Sequence, residues 1–73
     1  MVKIDVKTEI TGNVWKIEKA VGDTVGEEDT ILILESMKME IPVLAPEEGT
    51  LIEILVAEGD TVTEGTVVAR IEV

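Results

Sequence analysis

Few side chains in this 73-residue sequence could carry out chemistry. Histidine, cysteine and tyrosine are all absent, which removes the common general bases, the thiol nucleophiles and the nitrogen and sulfur metal ligands. The adjacent acids Glu27-Glu28 and Glu47-Glu48 could be imagined as acid/base partners, but neighbouring carboxylates in turn-like stretches read better as solvated faces. What remains is an amine. In "ILILESMKMEIPVLAP", residues 31–46, Lys38 lies between Met37 and Met39, with Glu35, Ser36 and Glu40 around it. A lysine ammonium in water holds its proton at neutral pH, so it becomes a nucleophile only when a base removes that proton. The carboxylates of Glu35 and Glu40, if close, would favour the charged form rather than release the proton. Lys38 is therefore placed to be acted on rather than to act. Taken alone, a lysine between methionines reads as a solvated charge on a loop and the methionines as core filler; its surroundings change that reading.

The chain must reverse between the apolar runs 31–34 and 41–45, yet it offers no Gly, Asn or Asp to do so. Leu, Glu, Met and Lys are good helix formers, but β-branched flanks and Pro42 oppose a helix, where an interior proline would cost about 3 kcal/mol. At a strand edge the same proline only removes one donor. The spacing thus predicts strand-turn-strand over about 35–40, with Met37-Lys38 at the centre and Ser36 and Met39 closing the turn. Two-residue hairpins favour positive φ at both central positions, where a bulky side chain is strained by roughly 1–3 kcal/mol. A local rule broken in this way marks a position whose residue type is set by something other than folding.

An internal repeat positions this turn. Residues 12–36, "GNVWKIEKAVGDTVGEEDTILILES", lie without a gap on residues 49–73, "GTLIEILVAEGDTVTEGTVVARIEV", at an offset of 37. Gly12 meets Gly49, Ala20 meets Ala57, Gly22-Asp23-Thr24-Val25 meets Gly59-Asp60-Thr61-Val62, and Glu35 meets Glu72. A four-residue identity inside a matching apolar pattern points to two copies of one supersecondary unit rather than a chance recurrence of a turn phrase. Within each copy, Trp15 and Ile17 alternate with Lys16 and Glu18, as Ile52 and Ile54 do with Glu53, which predicts a half-buried strand with the apolar members inward. The Gly-Asp pairs supply turn chemistry, and second apolar runs follow at 31–34 and 67–71. Val2, Ile4 and Val6 add an outer strand before the first copy, and residues 41–45 add its partner before the second. About eight short strands in one domain spanning 1–73 predict an all-β fold, a sandwich or flattened barrel related by a pseudo-twofold axis. Since Glu35 and Glu72 are counterparts, the Lys38 turn and the C-terminus should lie at opposite ends.

Composition limits the partners. Sixteen acidic residues against six basic ones give a net charge of −10, which disfavours phosphate backbones and anionic lipid surfaces; neither nucleic acid nor membrane is an expected partner. Without cysteine there is no disulfide framework, and the opening "MVKIDVK" is neither a signal peptide nor a membrane helix, so the expectation is a soluble, monomeric, cytoplasmic protein. The absence of an Ala/Pro-rich linker ahead of the first strand favours a small self-standing protein.

"ESMKME", the two Gly-Asp-x-Val half-repeats and "LAPEEGTLIEILVAEGDTV" together resemble the biotinyl and lipoyl carrier domains over nearly the whole chain. The resemblance implies a flattened barrel of two four-stranded antiparallel sheets, with an exposed hairpin carrying a lysine for covalent attachment. It further implies that Lys38 takes biotin from a biotin protein ligase, which supplies the deprotonation. Glu35, Ser36, Met37, Met39 and Glu40 would form the recognition sequence, and the loaded domain would serve biotin carboxylase and carboxyltransferase components without being an enzyme itself. Ser36 stands where biotin domains most often have alanine, and Glu28 where the half-repeat usually has glycine, as Gly65 does in the second copy. "KIEKAVGDTV" leaves no room for the thumb-like insertion frequent in bacterial acetyl-CoA carboxylase carriers, so the likeness is to compact biotinyl domains of other carboxylases. Lipoyl domains usually carry Asp-Lys-Ala at the loop, and Met-Lys-Met therefore favours biotin. A lipoyl carrier of an oxo-acid dehydrogenase or glycine cleavage system, a dual acceptor, and an unmodified scaffold domain are the alternatives.

Overall fold

A computed structural model describes residues 2–73. Eight strands follow in order: β1 (Lys3–Lys7), β2 (Gly12–Ile17), β3 (Thr24–Val25), β4 (Thr30–Ser36), β5 (Met39–Leu44), β6 (Gly49–Ile54), β7 (Thr61–Val62) and β8 (Val67–Glu72). They form two four-stranded antiparallel sheets, ordered β1-β8-β6-β3 and β5-β4-β2-β7. Shifting each strand of one sheet by 37 residues, forward for β1 and β3 and back for β8 and β6, gives the strands of the other in the same order, so the repeat becomes a pseudo-twofold relation between sheets. The expected flattened all-β architecture is the one observed.

The core obeys the same relation. Val6, Val14, Val25, Ile31, Leu32 and Leu34 are buried, and so are their counterparts Val43, Leu51, Val62, Val68, Ala69 and Ile71. Small β-branched and aliphatic side chains suit the thin space between two facing sheets. Neither half could bury such a face alone. Their backbones interlock as well: Gly22 N–H donates to Leu51 O at 2.7 Å and Leu51 N–H to Asp23 O at 2.8 Å, while Gly59 N–H donates to Val14 O at 2.7 Å and Val14 N–H to Asp60 O at 2.8 Å. The Gly-Asp phrase is explained by these turns. Gly22 and Gly59 take φ of 99° and 96°, open to glycine without steric cost, and the carboxylates of Asp23 and Asp60 accept from the N–H groups of Ala20 and Ala57, both at 2.9 Å.

One strand expectation is corrected. Alternation placed Trp15 inward with Ile17, but Val14 is 1% exposed and Trp15 47%. The register between β2 and β4 shifts between Val14 and Lys16, which leaves Trp15 as the extra residue of a β-bulge. Parity is thereby reset: Val14 and Ile17, rather than Trp15 and Ile17, address the core. The second copy repeats the device, with Leu51 buried ahead of a bulge at Ile52. Bulges at Ile31 and Val68 are likewise counterparts, and there they turn two consecutive residues inward.

The molecule measures 37 × 18 × 18 Å. Val2 and Val73 exchange backbone hydrogen bonds of 3.2 and 2.9 Å, the counterpart of the Ser36–Met39 pair that closes the β4–β5 turn. From that pair the chain passes through β1 and residues 8–11 to Gly12, which lies beneath the β4–β5 turn. The Val2–Val73 pair and Lys38 therefore occupy opposite poles.

Candidate functional site

The β4–β5 hairpin is a two-residue reversal. Ser36 pairs with Met39, Glu35 with Glu40, Leu34 with Ile41 and Ile33 with Pro42. Met37 and Lys38 at its tip take φ of 50° and 65°, the left-handed pair of a type I′ turn whose twist matches the flanking strands. The residues that would make this turn easy are absent, and the positive φ values are held by the strands on either side.

Pro42 fits because of register. Since Ser36–Met39 closes the turn, hydrogen-bonded and non-hydrogen-bonded pairs alternate away from it, which places Pro42 in a non-hydrogen-bonded pair. Its missing N–H would have pointed to the open edge of β5, so no ladder bond is lost.

All six residues singled out in the sequence come together on this hairpin. Lys38 is exposed and, among the described residues, takes part in no ion pair. Met37 is 93% exposed and Met39 62%; both thioethers stand in water beside the amine, the reverse of the core-filler role. Glu35 and Glu40 are exposed and directly opposite each other, whereas Ser36 is half-buried. The chemistry on offer is that of a primary amine at the end of a flexible stem, presented on a rigid support with apolar atoms and negative charge close by.

Sequence reasoning missed the support beneath this turn. Gly12 on β2 lies under the hairpin, where a Cβ would stand 2.7 Å from Glu35 O and 3.4 Å from the Ser36 Cβ. Its alignment with Gly49 was a visible signal, but only the packing of β2 on β4 shows what the glycine makes room for. A cleft of about 580 Å³ opens elsewhere, between the edges of β1 and β5, lined by residues such as Leu34, Ile41 and Val43. Lys38 does not line it. Among the described residues, no group of three or more acidic side chains is arranged to hold a metal ion.

A family model described as "Biotin-requiring enzyme", covering biotin and lipoyl domains, matches residues 5–71. The chain belongs to the biotin/lipoyl attachment family. Members of this family to which it is similar include the "Biotin/lipoyl attachment protein" of Bacillus subtilis, 41% identical over 66 residues and covering 90% of this chain and 90% of that protein. The "Biotinylated protein TB7.3 homolog" of Mycobacterium leprae is 42% identical over 67 residues, covering 92% of this chain and 94% of its own length. Among solved structures, the Kluyveromyces lactis urea carboxylase superposes with a TM-score of 0.93 at 39% identity, across 99% of this chain but 6% of that one. Biotin/lipoyl attachment domains thus occur both as small proteins of this length and inside much larger carboxylases.

Proposed function

We propose that this biotin/lipoyl domain is a non-catalytic carrier that accepts biotin on Nζ of Lys38. The observation that carries the reading is the Met37-Lys38 tip: an amine lifted into solvent on a left-handed turn that contains neither glycine nor asparagine. A fold under no further constraint would relieve that strain by a single substitution.

In the loading step a biotin protein ligase removes a proton from the Lys38 ammonium, and the free amine attacks the carbonyl of biotin held as its acyl-adenylate. An amide C–N bond forms, the bond from acyl carbon to phosphate oxygen breaks, and AMP leaves with the electron pair. Bound biotin supplies a ureido nitrogen that takes up and gives away a carboxyl group. The domain's share of the work is placement. Lys38 stands at the pole opposite the Val2–Val73 pair, so the tethered group can reach two active sites in turn, and tethering raises its effective concentration at both. Biotin carboxylase and carboxyltransferase components are the partners this reading assigns.

Intact mass after incubation with biotin, ATP and a biotin protein ligase tests the proposal. One biotin amide in the native protein and none in Lys38→Arg is the expected result; an unmodified native protein with competent ligase present overturns it. The lipoyl reading is supported by the name of the Bacillus relative and by the 44% identity, over 61 residues, to the dihydrolipoyllysine-residue acetyltransferase of Haemophilus influenzae, and a lipoyl adduct in the same measurement with a lipoate ligase would favour it.

A further inference from the structure

The two sheets are related by the offset of 37, so every position on the outer face of one has a counterpart on the other. They are finished differently. On the sheet without the hairpin, Asp5, Arg70 and Glu53 form one cross-strand row over β1, β8 and β6. Arg70 Nε donates to Asp5 Oδ1 at 2.8 Å and Arg70 Nη1 to Glu53 Oε1 at 3.2 Å, so this row is satisfied within the molecule. The counterpart row on the hairpin sheet is Pro42, Ile33 and Lys16, over β5, β4 and β2. There the central arginine is replaced by isoleucine and one acid by proline. The bulge residue Trp15, the sole aromatic side chain, lies outside the core cluster beside Lys16, and Leu44 on the edge strand is 41% exposed.

The next row toward the pole differs in the same sense. On the first sheet Lys3, Glu72 and Thr50 are neighbours, and opposite charges face each other. On the hairpin sheet the counterparts are Glu40, Glu35 and Asn13, and like charges directly opposite each other destabilise a sheet. The Asp5-Arg70-Glu53 row is bonded across three strands, whereas its counterpart has an apolar centre and its Lys16 turns along its own chain to Glu18 at 3.5 Å; the next row sets like charges opposite each other where its sister sets opposite ones, and these two rows of the hairpin sheet lead up to Lys38.

We infer that the outer face of the hairpin sheet, centred on Trp15 and Ile33, is the docking surface for the enzyme that acylates Lys38. This rests on the carrier reading and extends the recognition surface from the hairpin to β2 and the middle of β4. The partner presents cationic side chains to the Glu35–Glu40 pair, which draws them by charge complementarity, and an apolar side chain against Trp15 and Ile33. An exposed tryptophan within an apolar patch is the type of residue that anchors an interface. Cationic groups also suit an enzyme that must hold the phosphate of an acyl-adenylate beside the amine.

The sister sheet supplies the test, because it shows that this backbone accommodates the charged row. In the triple variant Pro42→Asp, Ile33→Arg, Lys16→Glu, the Asp-Arg-Glu row is rebuilt on the hairpin sheet while residues 35–40 are untouched. Its KM as a ligase substrate should rise about tenfold or more with kcat little changed, the pattern of a lost anchor. The converse Arg70→Ile should leave both constants as they are. A triple variant that folds and is loaded with the native KM overturns the inference; so does one loaded normally but slowed in a carboxylase, which would assign the face to that partner instead. Should the variant fail to fold, the native domain labelled with 5-fluorotryptophan gives a single 19F resonance, which shifts on saturating with ligase if Trp15 is covered. An unmoved resonance overturns the inference. Absence of any adduct on the native protein would instead sink the carrier reading itself.

Discussion

Gly12 and Glu35 are in such close contact that a methyl group on the glycine would stand 2.7 Å from the glutamate's carbonyl oxygen. Gly49 and Glu72 repeat the relationship at 2.5 Å at the other pole. The obstructing atom is backbone in both cases and cannot rotate away. Gly12→Ala and Gly49→Ala should each destabilise by about 1–3 kcal/mol, the usual range for overpacking, as read from urea unfolding. Their effects on loading should differ: Gly12→Ala displaces the base of the Lys38 hairpin and slows biotinylation, while Gly49→Ala, at the opposite pole, leaves it unchanged. Equal slowing in both would argue against Gly12 as the hairpin's support.

Met37→Asn separates folding from recognition. Asparagine tolerates the left-handed conformation that Met37 holds at φ 50°, so the variant should be more stable by about 1 kcal/mol. Lys38 remains in place. Ligase turnover should nonetheless fall, because an apolar contact beside the amine is gone. A variant that is both more stable and loaded at the native rate would show that Met37 is not read by the ligase.

Glu28 holds φ 69°, whereas its counterpart Gly65 holds φ 87°. Its N–H donates to Ala45 O at 2.9 Å, as that of Gly65 does to Thr8 O at 2.9 Å, so the turn is the same and only the side chain is out of place. Glu28→Gly removes a left-handed strain of about 1–2 kcal/mol and adds unfolded-state freedom of about 0.5–1 kcal/mol. A net gain of about 0.5–1 kcal/mol in chemical denaturation is expected. Gly65→Glu should move stability the other way.

Leu34 and Ile71 are fully buried counterparts on β4 and β8. Truncating either to alanine should cost about 2–5 kcal/mol, a large part of the roughly 4–11 kcal/mol available to a domain of this size. Because each half's turns are bonded to the other half's strands, the two variants should melt in a single transition at similar temperatures. A biphasic melt in either would contradict the interlock.

Arg70 is held protonated more firmly than a free arginine, first by its hydrogen bond to Asp5 and then by that to Glu53. A cation whose folded-state pKa is raised contributes stability below its unfolded value and loses it only as pH rises through the folded one. That window lies above the range in which an ordinary arginine titrates. The stability difference between the native protein and Arg70→Met should therefore be free of arginine titration between about pH 6 and 9, and should shrink as salt approaches about 1 M, where the screening length falls to ~3 Å. A difference that persists at high salt would point to packing by the arginine stem instead.

How much could be read without coordinates depended on whether the signal was local. The reversal at Met37-Lys38 was legible because Pro42 and the β-branched flanks exclude a helix within a few residues. The repeat was legible because the Gly-Asp turns and apolar runs recur at one offset, and that also set the strand number and the opposite placement of Lys38 and the C-terminus. The face of Trp15 was misread, because a bulge forms when two strands of unequal count are brought into register, and a period-two pattern along one strand does not register the partner.

The amine, its turn and the twofold plan thus belong to the sequence, since each follows from short-range backbone preference. The buried place of Val14 rather than Trp15, the fit of Gly12 beneath Glu35, and the contrast between the Asp5-Arg70-Glu53 row and the Pro42-Ile33-Lys16 row were decided by tertiary structure. Each depends on which residues from distant parts of the chain lie side by side, and that is settled only when the two sheets pack.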